Sequence, residues 1–116
     1  MQKSSDQERV AGGYTRALPL ERIFRNPVSR ILDFLITNQK FDYSESDISK
    51  LSDTPPRTLQ RALPILRTEG LVVSTRKSGK QNMYKFNLES ERALALQNYV
   101  RATMRENLDN PEILRR

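Results

Sequence analysis

The sequence predicts a mainly helical α+β domain with one small β-hairpin and a long final helix. Three observations carry this. Apolar residues recur at helical spacing in four stretches, each preceded by a residue that can cap a helix: Asn26, Ser44, Thr54 and Ser90. One stretch, Leu71 to Leu88, changes to β-branched and period-two patterning around Ser78-Gly79. A length of 116 residues suits one domain with a modest core.

Residues 1–13 are polar and end in Gly12-Gly13, so residues 1–16 are expected to be a flexible arm. Ala17–Phe24 gathers Leu18, Leu20, Ile23 and Phe24; a short helix or an extended segment docked on the core would both use them. Asn26-Pro27 pairs a capping side chain with a first-turn proline. Val28, Ile31, Leu32 and Leu35 follow at helical spacing, widened by Phe34 and Ile36, which predicts a structural helix at about 27–38. Phe41–Tyr43 reads as a link or a short edge strand. Ser44-Glu45-Ser46-Asp47 resembles a capping box, and a short helix near 45–52 should bury Ile48 and Leu51.

The stretch that organises the rest is Thr54–Gly70, TPPRTLQRALPILRTEG. Thr54 is the expected cap and Pro55 the expected first helical residue. Leu59, Ala62, Leu63 and Leu66 make one apolar face. Arg57, Arg61 and Thr68 point the opposite way, with Thr58 and Gln60 on the flanks. Gly70 closes the helix as a left-handed cap. Pro64 lies inside it, so the helix either kinks there or ends near Leu63. A short helix, a tight turn and a helix with a basic face make the helix-turn-helix plan. Its front suits a base edge: Arg fits guanine, Gln fits adenine, and Thr reaches phosphate or a thymine methyl.

After Gly70, Leu71-Val72-Val73 and Met83–Leu88 form a hairpin whose tip carries Arg76, Lys77 and Lys80. These cations suit phosphates beside or within a minor groove. Ser90 caps a last helix at about 91–108, with Ala93, Leu96, Val100 and Met104 as its stripe and Leu94, Tyr99 and Leu108 beside it. Such a helix overhangs a small domain and needs a partner, either residues 17–24 of its own chain or the same helix of a second subunit across a two-fold axis. The expected division is an arm at 1–16, a domain at 17–89, a dimerisation helix at 90–109 and a tail at 110–116.

The net charge of +6 is not spread evenly. Residues 1–53 hold 8 basic and 8 acidic side chains, and residues 86–116 hold 5 of each. Residues 54–85 hold seven basic side chains, Arg57, Arg61, Arg67, Arg76, Lys77, Lys80 and Lys85, against one acidic, Glu69. A partner of dense negative charge explains this clustering. A membrane surface would want bulky apolar anchors beside the charge, and the flanks lack them. No apolar run approaches the ~18 residues of a membrane span, and the first residues hold no secretory signal. With no Cys and no His, disulfides are absent and zinc has no soft ligands; no loop has calcium or magnesium spacing.

In this order, DISKLSDTPPRTLQRALPILRTEGLV, Asp47 to Val72, resembles the winged helix-turn-helix family of DNA-binding transcriptional regulators. Ile48 and Leu51, Leu63 and Leu66, and Gly70-Leu71 carry the likeness. PLERIFRNPVSRILDFL, Pro19 to Leu35, looks especially like archaeal members. The resemblance implies that Arg57, Thr58, Gln60 and Arg61 face a major groove and that Arg76, Lys77 and Lys80 form the wing. It also implies a homodimer on two-fold-symmetric sites.

The favoured reading is therefore a dimeric, sequence-specific binder of double-stranded DNA, cytoplasmic and nucleoid-associated, without cofactor or metal. The alternative is a winged-helix protein-interaction module of a larger nucleic-acid-processing or segregation complex. RNA is less favoured, because single strands want exposed stacking aromatics and only Tyr84 lies near the basic stretch. An enzyme is not expected: without His or Cys the commonest base and thiol nucleophile are missing, and no phosphate loop or carboxylate pair appears.

Overall fold

The computed structural model describes residues 18–109; the expected arm and tail, and the side chain of Leu108, lie outside the described residues. Five helices and three strands follow in the order α1 (Pro19–Phe24), α2 (Pro27–Thr37), β1 (Tyr43–Ser44), α3 (Glu45–Leu51), α4 (Pro56–Thr68), β2 (Val72–Ser78), β3 (Gln81–Phe86) and α5 (Glu91–Asp109). The strands form an antiparallel sheet in the order β1-β3-β2. The link at Phe41–Tyr43 thus ends in a strand, and the segment around Pro19 is helical.

Local chemistry sets most boundaries. Asn26 accepts from the Ser29 amide at 2.9 Å and starts α2. Ser44 accepts from the Asp47 amide at 3.2 Å and starts α3. Ser90 accepts from the Ala93 amide at 3.3 Å and starts α5. Each bond satisfies a donor that the first helical turn leaves open.

Helix α4 begins differently from expectation. Thr54 is not its cap. Pro55 occupies that place with extended backbone, and Pro56 is the first helical residue. The reason is the Pro-Pro pair: a residue before proline is pushed out of the helical region, so Pro55 cannot open the helix. Thr54 is buried in the turn instead, its hydroxyl donating to the Ser52 carbonyl at 3.3 Å and its own carbonyl accepting from Ser49 Oγ at 2.5 Å. The turn has no glycine; Asp53 takes the left-handed conformation, at φ 56°. Arg30 of α2 holds that turn, donating to the carbonyls of Ser52 at 3.3 Å and Asp53 at 2.8 Å.

Pro64 neither ends the helix nor reaches the core. It is exposed, and α4 continues to Thr68. Gly70 then closes it at φ 81°: the Gly70 amide donates to Arg67 O and the Leu71 amide to Leu66 O, the paired bonds of a Schellman cap. The same glycine supports the start of α5. Its carbonyl accepts from Asn87 Nδ2 at 3.1 Å, and a Cβ there would lie 3.2 Å from Ser90 Oγ. Glu69 and Arg92 pair at 2.7 Å across the same join.

The core gathers one face of each element. Leu20, Ile31, Leu35, Ile48, Leu59, Leu63, Leu66, Val72, Phe86, Ala93 and Val100 are all buried within it. Leu51 is not among them; it closes α3 at 60 % exposure, where the chain already turns away.

One buried carboxylate has a structural task. Asp33 of α2 accepts from the amides of Leu20 at 3.1 Å and Glu21 at 3.0 Å, so it caps α1 from another helix. Burial pushes its carboxyl up to about 6 from the usual 3.8, against the pull of those two amides. A folded-state value above the unfolded one favours the fold at low pH, and that contribution fades as pH rises through about 6. Stability is therefore expected to fall by about 1 kcal/mol between pH 5 and 7.5 from this group. Urea denaturation across that range should show a slope in the wild type that flattens in Asp33→Asn.

Candidate nucleic-acid interface

Along α4, burial of Leu59, Ala62, Leu63 and Leu66 forces the intervening positions outward. Arg57, Gln60 and Arg61 are exposed and Thr58 is half-buried. Neither arginine has a hydrogen-bond or ion-pair partner among the described residues. The helix is therefore held by its back while its charged front stays available.

The hairpin tip comes to the flank of α4 that carries Gln60. A groove of about 530 Å³ is lined by Gln60 of α4, by Glu45, Ser46, Ser49 and Lys50 of α3, and by Lys80, Gln81 and Asn82 of the hairpin tip. The tip turns through Gly79, at φ 66°, and Lys80, in the two-residue loop that suits the strands' twist. Lys77 pairs opposite Asn82, and directly opposed residues share a sheet face, so Lys77 lies on the face of Asn82 and of the buried Tyr84 and Phe86, without itself lining the groove. Lys50, Gln81 and Asn82 had no sequence signal of their own; only packing brings them to the groove.

Arg76 departs from the expected wing. It pairs opposite Met83, and successive residues alternate faces, so it lies on the far side of the hairpin from Lys77. There Arg76 Nε donates to Asp42 Oδ2 at 3.0 Å and a terminal nitrogen donates to Oδ1 at 3.2 Å. Thr75 Oγ1 adds a third bond to the same carboxylate at 2.5 Å. The Arg76 guanidinium, then the Thr75 hydroxyl, hold the Asp42 carboxyl below its usual range, and Asp42 holds Arg76 above its own.

Tyr84 is buried at 4 % exposure, with Arg67 stacked 6.0 Å from its ring centre, so it offers no platform for a base. The expected dimer stripe is also redistributed. Ala93 and Val100 are sealed in their own subunit and Leu96 packs partly against the same core. Gln97 joins that inward face, accepting from Gln39 Nε2 at 2.7 Å. Met104 stays exposed, as do Leu94 and Tyr99. Helix α1 packs on α5 and leaves Leu18, Ile23 and Phe24 exposed.

No protein-family model matches the chain, and no curated protein matches it. Solved structures do. A mutant of Lactococcus lactis ZitR superposes with a TM-score of 0.56 at 16 % identity over 74 % of this chain, which spans 58 % of that one. The homodimeric winged helix-turn-helix DNA-binding domain Mb0332 of Mycobacterium bovis gives 0.55 at 20 % identity over 88 % of this chain and 89 % of that one. An S. aureus MepR mutant bound to an oligodeoxyribonucleotide gives 0.55 at 14 % identity over 90 % and 80 %. At such identities the likeness is one of fold. By its element order, its β1-β3-β2 sheet and these superpositions, the chain has the winged helix-turn-helix fold.

Proposed function

We propose that this domain binds double-stranded DNA in a sequence-specific manner, as a homodimeric transcriptional regulator. The observation that carries the reading is the shared groove. It joins α4 at Gln60 to α3 and to the hairpin tip at Lys80. Arg57 and Arg61 are exposed on the same helix and Lys77 on the same hairpin, and none of these four cations has an ion-pair partner among the described residues. The similarity to domains whose structures are described as DNA-binding, or contain an oligodeoxyribonucleotide, supports it. Arg57, Thr58, Gln60 and Arg61 would meet base edges and phosphates in the major groove, and Lys77 and Lys80 the flanking phosphates.

A second copy would seat on what α5 and α1 leave uncovered: Leu94, Tyr99 and Met104 with Ile23 and Phe24. A two-fold pair would place its recognition helices about 34 Å apart, one duplex turn. Selection of bound duplexes from a random pool tests binding, symmetry and half-site spacing together. Two related half-sites about ten base pairs apart are expected. The absence of any gel shift at micromolar protein and low salt would favour the protein-interaction reading instead.

Lys77→Ala is expected to weaken every duplex alike. One lost phosphate contact should also reduce the slope of log affinity against log salt by about 0.9. Titrations of the selected duplex and of a scrambled one at several salt concentrations would measure both.

A further inference from the structure

We propose that Arg76 is a positioning residue: its pairing with Asp42 fixes the pose of the hairpin over the groove, and the cations that meet the duplex are Lys77 and Lys80. This deepens the DNA-binding reading and rests on it.

Exposed ion pairs usually contribute little, because water screens them and two long side chains must be ordered. Three features set this one apart. The contact is bidentate, with both carboxylate oxygens engaged by one guanidinium, the geometry in which arginine pairs are strongest. Thr75 supplies a third donor to the same carboxylate. And the pair sits at an irregularity. Ser74 faces Tyr84 while Arg76 faces Met83, so Thr75 is an extra residue in β2. A bulge bends its strand and sharpens the twist, so the direction of everything beyond it depends on how the bulge is held.

The path of the bond matters as much. The sheet order is β1-β3-β2, and Asp42 immediately precedes β1 while Arg76 lies on β2. The bond therefore crosses the central strand on its outer side. Strand β1 is two residues long and meets β3 only at Tyr43 and Ser44. Ser44 also caps α3. Asp42 thus ties the bulged strand to the segment that launches the helix-turn-helix. A guanidinium committed to Asp42 on that outer face is engaged away from Lys77, which lies on the opposite face with Asn82.

The two roles make opposite predictions for Asp42→Asn. A carboxylate that merely masks Arg76 would, when removed, free a cation for phosphate. Binding would tighten and the salt slope would steepen by about 0.9. A carboxylate that positions the hairpin would, when removed, weaken binding although a negative charge has gone. With the full chain and the selected duplex, Asp42→Asn and Arg76→Gln are each expected to weaken binding about tenfold without changing the salt slope. The double variant should be no weaker than either single one, since both break the same link. Tighter binding by Asp42→Asn, or a slope reduced by about 0.9 in Arg76→Gln, would overturn the proposal.

Amide hydrogen exchange separates this from the parent reading, because it needs no DNA. In Asp42→Asn the amides of Thr75–Lys85 should exchange faster while those of α2 and α4 stay protected. Unchanged exchange in the hairpin would overturn the clamp even if DNA binding holds. A wild-type chain that binds no duplex would overturn the function, and the duplex role of the clamp with it, whatever the exchange shows.

Discussion

Phe86→Ala is expected to remove about 3–5 kcal/mol of unfolding free energy. Phe86 closes β3 at 1 % exposure and is among the largest fully buried side chains of the domain. It pairs opposite Val72, itself buried, where α4 hands over to the sheet. Truncation would lose the transfer of the ring from water and leave a cavity that a packed interior fills poorly. Small domains hold only about 5–15 kcal/mol in total, so this one change would take a large share. In urea the midpoint should fall with the slope unchanged. Leu88, two residues on and 38 % exposed, provides the control. Leu88→Ala should lose much less, and equal losses would mean that the burial of Phe86 does not set its contribution.

Arg61→Ala is expected to cost about 1–3 kcal/mol of discrimination at one base pair of the preferred site. Arg61 is exposed on the front of α4, with Ala62 and Leu63 beside it turned into the core. It has no partner among the described residues, so removing it should leave the fold nearly as stable, as surface changes usually do. Affinity measured on the selected duplex with each base pair replaced in turn would locate the effect. A loss concentrated at one position identifies a base reader. A loss shared by all sequences, with a reduced salt slope, would make Arg61 a phosphate contact. No loss at all would remove it from the interface.

Much of the fold can be read from short-range chemistry. Asn26, Ser44 and Ser90 act within three residues of themselves, and their side chains do what their types predict. Gly70 is recognisable because the left-handed cap it forms penalises any Cβ. Helical periodicity on α4 places Arg57, Gln60 and Arg61 outward, because burying Leu59, Leu63 and Leu66 leaves them no other direction.

What escaped the sequence reading depends on distant partners. Asp33 looks like an ordinary polar break in an apolar helix until α1 brings two amides to it. Arg76 looks like a third wing cation because a run of basic residues does not show which face each takes; the extra residue at Thr75 and a carboxylate 34 positions away decide that. Ala93 and Val100 share a stripe with Met104, but the helix runs past the core, so the first two are covered by their own chain and the last is not. The start of α4 departs from expectation for a local reason, the backbone restriction that one proline imposes on another.

The join at Gly70 and Ser90 has a mechanical consequence. Helix α5 hangs from the end of α4 through the Asn87 amide, the Glu69–Arg92 pair and a close approach in which a Cβ at position 70 would lie 3.2 Å from Ser90 Oγ. Ala93 and Val100 then hold the first half of the helix against the core, so the stretch beyond the last buried contact is the nine residues after Val100, about 13 Å at 1.5 Å per residue. A tilt of about 5° there would move the far end by roughly 1 Å. The join sets where the helix begins, and the seat of Val100 sets the direction in which its exposed distal end emerges.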